Sequence, residues 1–292
     1  MPELPEVEAV RRALQPVVEG ARFEKVEARR PDLRVAFPPR FATRLQGQTV
    51  RVLDRRGKYL LAELTSRDVL VMHLGMSGSF RIDKSSAGSI PGSFHHDRST
   101  ALAHDHVIFW MSSGARVTFN DPRRFGYMDL IAAGDFAAHP VVGALGPEPL
   151  SEEFDAVILA RHCRGKKTSI KAVLLDQRVV AGLGNIYVSE ALHRARLSPR
   201  RRASTIATPA GTPRDAAKRL VAAIKETLNA AIAKSEVWRQ QADAGTDAAY
   251  FPNRFRVYDR EGERCRRRGC RGIVRRIVQG ARSTFYCPVC QR

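Results

Sequence analysis

The chain has 292 residues, with 49 Lys+Arg against 30 Asp+Glu and a formal charge of +19. Hydrophobic residues make up 43% and aromatic residues 7%, which fits one large or two ordinary globular domains and excludes a disordered chain. No apolar run approaches the roughly 18–20 residues of a membrane span, and the start, Met1-Pro2-Glu3-Leu4-Pro5-Glu6, has none of the regions of a secretory signal. These features predict a cytosolic protein whose partner is a polyanion, nucleic acid first.

In chain order, residues 6–20 are predicted helical: Val7, Val10, Leu14 and Val17 form a stripe, with Pro5 at the start. Short strand-like runs follow at 49–53, 59–64, 69–74, 79–82, 106–110, 116–119 and 127–131, a series that predicts an antiparallel β-sandwich. Residues 83–103, rich in Ser, Gly and His, are expected to form a long surface loop, and the Pro/Gly-punctuated 143–150 an interdomain connection. The pattern then turns helical, at 154–164, 169–176, 186–194 and 213–234, before a loop-like 245–255. The fold class is therefore α+β.

Four of the five cysteines fall in the last 28 residues as Cys265-x4-Cys270-x16-Cys287-x2-Cys290. Two close pairs flanking a β-hairpin-sized spacer suit one tetrahedral structural zinc ion. Two disulfides are the rival, disfavoured in a reducing cytosol. The first knuckle holds four residues, where two are usual. Cys163 stands apart as a core or surface thiol. The same segment concentrates charge: from Arg254 onward there are twelve Arg against Asp259, Glu261 and Glu263. Arginine's rigid fork of donors matches phosphate.

Several blocks carry a resemblance. Pro2-Glu3-Leu4-Pro5-Glu6-Val7-Glu8, His73-Leu74-Gly75-Met76-Ser77-Gly78, Asp121-Pro122-Arg123-Arg124-Phe125-Gly126, Gly182-Leu183-Gly184-Asn185-Ile186-Tyr187 and Arg282-Ser283-Thr284-Phe285-Tyr286-Cys287-Pro288-Val289-Cys290 occur in this order. Together they resemble the bacterial formamidopyrimidine-DNA glycosylases over nearly the whole chain. The resemblance implies a catalytic β-sandwich domain at 1–135, a helical DNA-binding domain with a helix–two-turn–helix at 150–252 and a zinc-finger hairpin at 253–292, with DNA between the two halves. It implies a monomer acting on double-stranded DNA that holds a damaged base or abasic site, with no membrane partner.

It also implies roles. Pro2, terminal once Met1 is removed, is the nucleophile: a secondary amine whose pKa lies near ~8 can form an iminium at the sugar C1′. Glu3 is the catalytic carboxylate. Lys58 serves proton transfer and phosphate contact. Arg282, in the turn of the zinc hairpin, is a catalytic residue that contacts the phosphates around the lesion and is assigned to the δ-elimination step. Met76, Arg123 and Phe125 fill the void left when the damaged nucleotide is flipped out. His73, His104, Lys166, Asn185 and Tyr258 lie near the DNA backbone. His104-Asp105-His106 can also suggest a metal pair, but a strand would point both imidazoles one way with no third ligand. One region departs from the family: residues 234–241 and 246–251 lack the glycine pair of its base-covering loop. Two rivals stand beside this reading. An endonuclease-VIII-like enzyme for oxidised pyrimidines would share Pro2 and Glu3. A non-enzymatic zinc protein that binds damaged DNA would explain the Arg and Cys content alone.

Overall fold

The computed structural model describes residues 2–84, 87–89, 98–132, 134–243 and 255–292. Two compact units emerge, Met1–Ala144 with Ile232–Phe251, and Leu145–Ala231 with Pro252–Arg292.

The first unit opens with α1 (Leu4–Val18), which buries the predicted stripe of Val7, Val10, Leu14 and Val17. It starts two residues before the predicted 6 because Glu3 occupies the N-cap and Pro5 fits the first turn, where its missing N–H costs nothing. Then come β1 (Phe23–Ala28), α2 (Phe41–Leu45), β2 (Val50–Arg56), β3 (Tyr59–Leu64), β4 (Val69–His73), β5 (Ser79–Lys84), β6 (Ala87–Ser89), β7 (Asp105–Met111), β8 (Arg116–Asn120) and β9 (Tyr127–Ile131). They form two antiparallel sheets, of order β2-β3-β4-β9 and β1-β7-β8-β5-β6. Leu60, Leu64, Leu70 and Met72 from one sheet join Phe80, Val107, Phe109 and Phe119 from the other in a single apolar core with α1. The sandwich is thus borne out. The expected loop at 83–103 is corrected in part. β5 continues through Lys84, β6 follows, and a 3-10 turn spans Leu102–His104; residues 90–97 lie outside the described residues.

The second unit holds α3 (Ala156–Cys163), α4 (Ile170–Leu175), α5 (Asn185–Ala195) and most of α6 (Asp215–Asp243), then the hairpin β10 (Arg275–Gln279) and β11 (Arg282–Tyr286). Asp155 and Ser169 cap α3 and α4, each accepting a backbone N–H three residues on. α6 runs well past the predicted end at 234, so residues 234–241 are helical; of the expected 245–255 loop only Phe255 is among the described residues. The hairpin turns on Gly280 and Ala281, both at positive φ, as a two-residue type I′ turn requires. Arg282 is therefore the first residue of β11, paired with Gln279, one step beyond the turn that the sequence suggested. Among the described residues no helix is long and apolar enough to cross a membrane.

Candidate nucleic-acid interface and metal centre

Pro2 and Glu3 are buried at the head of α1, and the Glu6 carboxylate accepts the Glu3 N–H at 2.8 Å. One turn on, Glu8 receives Arg11 at 2.9 Å, Arg12 at 2.7 Å and Arg55 at 3.2 Å. Burial alone would raise its pKa, but the hydrogen bonds from Arg11 and Arg12 and the charge of Arg55 hold the carboxyl down at about 2. Arg11 also reaches the Leu53 carbonyl of β2, and Arg55 the Gly57 carbonyl, so this cluster fastens α1 to the β2–β3 turn. That turn carries Lys58, itself buried.

His73 faces Tyr59 across β3 and β4, with ring centroids 4.7 Å apart. Its Nδ1 accepts the Gly75 N–H at 3.0 Å, which leaves the proton on Nε2. Burial, then the nearby Lys58 and Arg34 cations, lower its pKa to about 4. His73 is thus a neutral N–H donor near neutral pH.

Met76, Arg123 and Phe125 come together on two adjoining loops. Met76 is 41% and Phe125 42% exposed, high values for large apolar side chains, and the Arg123 guanidinium lies 4.7 Å over the Phe125 ring. Asp121 ties the loops: its fully buried carboxylate accepts the Ser77 hydroxyl and, at 2.7 Å, the Gly126 N–H. Ser77 in turn accepts the Arg123 N–H, and Arg98 donates to the Met76 carbonyl. Gly75, at φ +61, lets the first loop press against the backbone of Phe125. Rigid loops that display a Met and a Phe can wedge into a base stack.

In the second unit Asn185 begins α5, and its amide donates to the Ser283 carbonyl of β11 at 2.8 Å, beside Arg282. Lys171, 1% exposed, donates to Asn185 at 2.6 Å and to Thr284. Glu190 accepts the N–H groups of Arg256, Val257 and Tyr258 at 2.8–2.9 Å, and the Tyr258 ring is held edge-on between Phe255 and Phe285. Arg282 and Lys166 are exposed. Asn185, Tyr258 and Arg282 are thus mounted on one polar framework. Sequence reasoning missed Asp121 as a tie, and missed Lys171 and Glu190 entirely. Lys171 had a signal: a charge among Ile170, Val173 and Leu174, the buried side of a short helix.

His104 closes the 3-10 turn while His106 is buried in β7 and contacts the Asp121 carbonyl at 2.9 Å. The two do not share a strand, contrary to the expected geometry. Cys163 is fully buried, and burial pushes its thiol up to about 12, an inert core residue.

The four remaining cysteines converge, their sulfurs all within 4.8 Å of one another. Cys265–Cys290 and Cys270–Cys287 are 3.8 and 3.7 Å apart, too long for disulfides. Zinc–thiolate bonds of ~2.3 Å arranged tetrahedrally give sulfur–sulfur edges of about 3.8 Å, so the cradle fits zinc. Gly272 borders it so closely that a Cβ there would lie 2.4 Å from the Cys287 sulfur. The site holds one structural zinc ion.

Comparison with known proteins completes the site. The chain matches the formamidopyrimidine-DNA glycosylase N-terminal domain over residues 1–128, the H2TH domain of the same glycosylases over 145–241, and a zinc finger found in FPG and IleRS over 262–292. This combination defines a DNA glycosylase built from a β-sandwich, an H2TH domain and a zinc hairpin. A formamidopyrimidine-DNA glycosylase of Bradyrhizobium sp. (strain ORS 278) is 62% identical over 293 residues, covering 100% of both chains. Among solved structures, the Lactococcus lactis formamidopyrimidine DNA glycosylase bound to DNA containing an abasic site is 30% identical with a TM-score of 0.80, covering 100% of both chains. The corresponding protein of Thermus thermophilus is 36% identical, TM-score 0.77, covering 99% of this chain and 98% of that one. The chain belongs to the formamidopyrimidine-DNA glycosylase family.

Proposed function

We infer that the chain is a bifunctional enzyme of DNA base-excision repair. It removes oxidised purines, 8-oxoguanine and formamidopyrimidines, from double-stranded DNA and cleaves the strand at the abasic site that results. The observation that carries this is the full-length match to the family, at 62% identity. The working domain division is 1–135, 150–252 and 253–292. The enzyme acts as a monomer in the bacterial cytosol, at the nucleoid.

The mechanism follows from the chain's own residues. With Met1 removed, the Pro2 amine attacks C1′ of the flipped nucleotide; the C1′–base bond breaks and the base leaves with its electron pair and a proton. Glu3, buried beside Pro2, protonates the sugar ring oxygen, so the ring opens to an iminium. That cation acidifies the neighbouring C–H bonds. Loss of one proton expels the 3′ phosphate, and a second elimination expels the 5′ phosphate. Lys58 shuttles protons beside the sugar. Met76 and Phe125 fill the vacated stack and Arg123 bonds the orphaned base. His73, His104, Lys166, Asn185, Tyr258 and Arg282 hold phosphates; a guanidinium keeps its proton, so Arg282 acts by charge and hydrogen bonds. Zinc cross-links the two cysteine knuckles and takes no part in the chemistry.

Borohydride trapping across a panel of lesion duplexes tests this. A covalent adduct through Pro2 is expected with 8-oxoguanine and formamidopyrimidine duplexes. No adduct with any lesion refutes the lyase mechanism, and faster release of an oxidised thymine than of 8-oxoguanine refutes the substrate.

A further inference from the structure

The four-residue knuckle Arg266-Arg267-Arg268-Gly269 is longer than a simple zinc turn needs. Its use is visible at the far end of α5. Arg267 turns away from solvent and its guanidinium donates to the carbonyls of His193 and, at 3.3 Å, Arg194. These belong to the last turn of α5, where helix carbonyls lack intrahelical donors and cations are favoured. In the opposite direction, His193 reaches back to the knuckle. The residue is 0% exposed, and its Nε2 lies 3.3 Å from the Cys265 sulfur. A zinc-bound thiolate carries no proton, so this contact can only be N–H···S, with the imidazole donating. Nδ1 has no hydrogen-bond partner among the described residues. A buried ring nitrogen without a partner fits a bare lone pair, with the imidazole's single proton on Nε2.

We propose that His193 is a hydrogen-bond donor to the zinc-bound Cys265 thiolate, and that with Arg267 it forms a two-way clasp joining the end of α5 to the metal knuckle. His193 is not a ligand: the four sulfurs alone form the metal-holding set among the described residues. Its donation lowers the electron density on one of four thiolates that together give the zinc site a net negative charge. Donors of this kind orient ligands and tune affinity. The clasp also places metal and DNA contact on one rigid element, since Asn185 starts the helix whose last turn holds His193 and Arg194.

The test is zinc affinity of the full-length protein, measured by competition with a chromophoric chelator. Loss of a ligand's hydrogen-bond partner typically costs about 10- to 100-fold in metal affinity, and that loss is expected for His193→Phe. His193→Gln keeps an N–H at a similar reach and should recover most of it. Equal affinity in wild type and His193→Phe overturns the proposal, whereas a wild type without zinc would overturn the metal assignment on which it rests. Cobalt-loaded protein gives a separate readout: His193→Phe should keep the spectrum of four thiolates, and a change in ligand set would make His193 a ligand and refute the donor role. Should His193→Phe fail to fold, nitrogen-15 spectra of the wild-type zinc protein decide, with an Nε2–H tautomer expected and an Nδ1–H tautomer fatal.

Discussion

Gly75→Ala isolates the geometry of the two loops that carry Met76 and Phe125. Gly75 sits at φ +61, and a Cβ there would lie 2.3 Å from the Phe125 carbonyl carbon, 2.4 Å from its oxygen and 2.6 Å from the Gly126 nitrogen. Carbon–carbon contact is comfortable only near ~3.5 Å, so the 125–126 backbone must retreat by about 1 Å. The left-handed conformation costs an alanine about 1 kcal/mol, and overpacking against backbone adds about 1–3 kcal/mol. Gly114→Ala is the matched control: φ is +79, but nothing lies within 4 Å of the added methyl. The difference between the two variants is therefore the steric part, about 2 kcal/mol, and it falls on the loop pair that carries Met76 and Phe125. If that pair must fit the duplex to hold the nucleotide out, about 2 kcal/mol lost at this step slows excision about 30-fold. The assay is single-turnover release of 8-oxoguanine from duplex DNA at a temperature where both variants are folded. Gly75→Ala excising within twofold of Gly114→Ala would refute the claim that this contact sets the wedge.

Glu8 has its pKa lowered from 4.5 to about 2, so its stabilisation is full above pH 4.5 and disappears as pH falls towards 2. Glu8→Gln should lose up to about 3 kcal/mol at pH 7 and converge with wild type near pH 2, and a gap in denaturant melts that does not shrink on acidification would contradict this. Gly272→Ala drives a methyl into the Cys287 sulfur and should drop bound zinc well below one per chain by metal analysis; full occupancy would be inconsistent with the cradle described above. Arg260→Ala should lower the melting temperature and leave the slope of log binding constant against log salt unchanged, whereas Arg282→Ala should reduce that slope by about 1. Equal slopes in the two variants would be the wrong result.

Much of the first unit was legible because its strands alternate strongly enough to expose their period: 59–64 and 127–131 coincide with β3 and β9. β1 was missed because Glu24, Lys25 and Glu27 dilute Phe23 and Val26, and the strand is recognisable only once it pairs with β7. α2 is a single turn and too short for any periodicity. α6 was cut short because the apolar stripe of residues 213–234 gives way to polar residues, yet polar residues with good helix propensity continue a helix that is already nucleated. The site divides in the same way. The motif residues of the proposed site were readable one by one. Their supports were not, since Asp121, Lys171 and Glu190 have partners 44, 113 and 67 residues away that no local pattern reveals.

Net charge illustrates the limit most clearly. Composition counts twelve arginines from residue 254 onward but says nothing about which of them are already engaged. Arg260 is 8% exposed and serves the Glu263 carboxylate and the carbonyls of Arg256 and Arg264. Arg266 donates to the Phe255 carbonyl, and Arg267 caps α5. Arginine suits this work because one planar fork satisfies several carbonyls that a lysine would meet singly. Exposed arginines such as Arg275 and Arg282 remain for phosphate. The two groups contribute differently to DNA binding. All twelve add to the positive field, which acts over a Debye length of about 8 Å and speeds encounter. Counterion release counts only the guanidiniums that reach a phosphate. The +19 therefore sets how fast the protein finds DNA, while the smaller exposed set determines how steeply salt removes it.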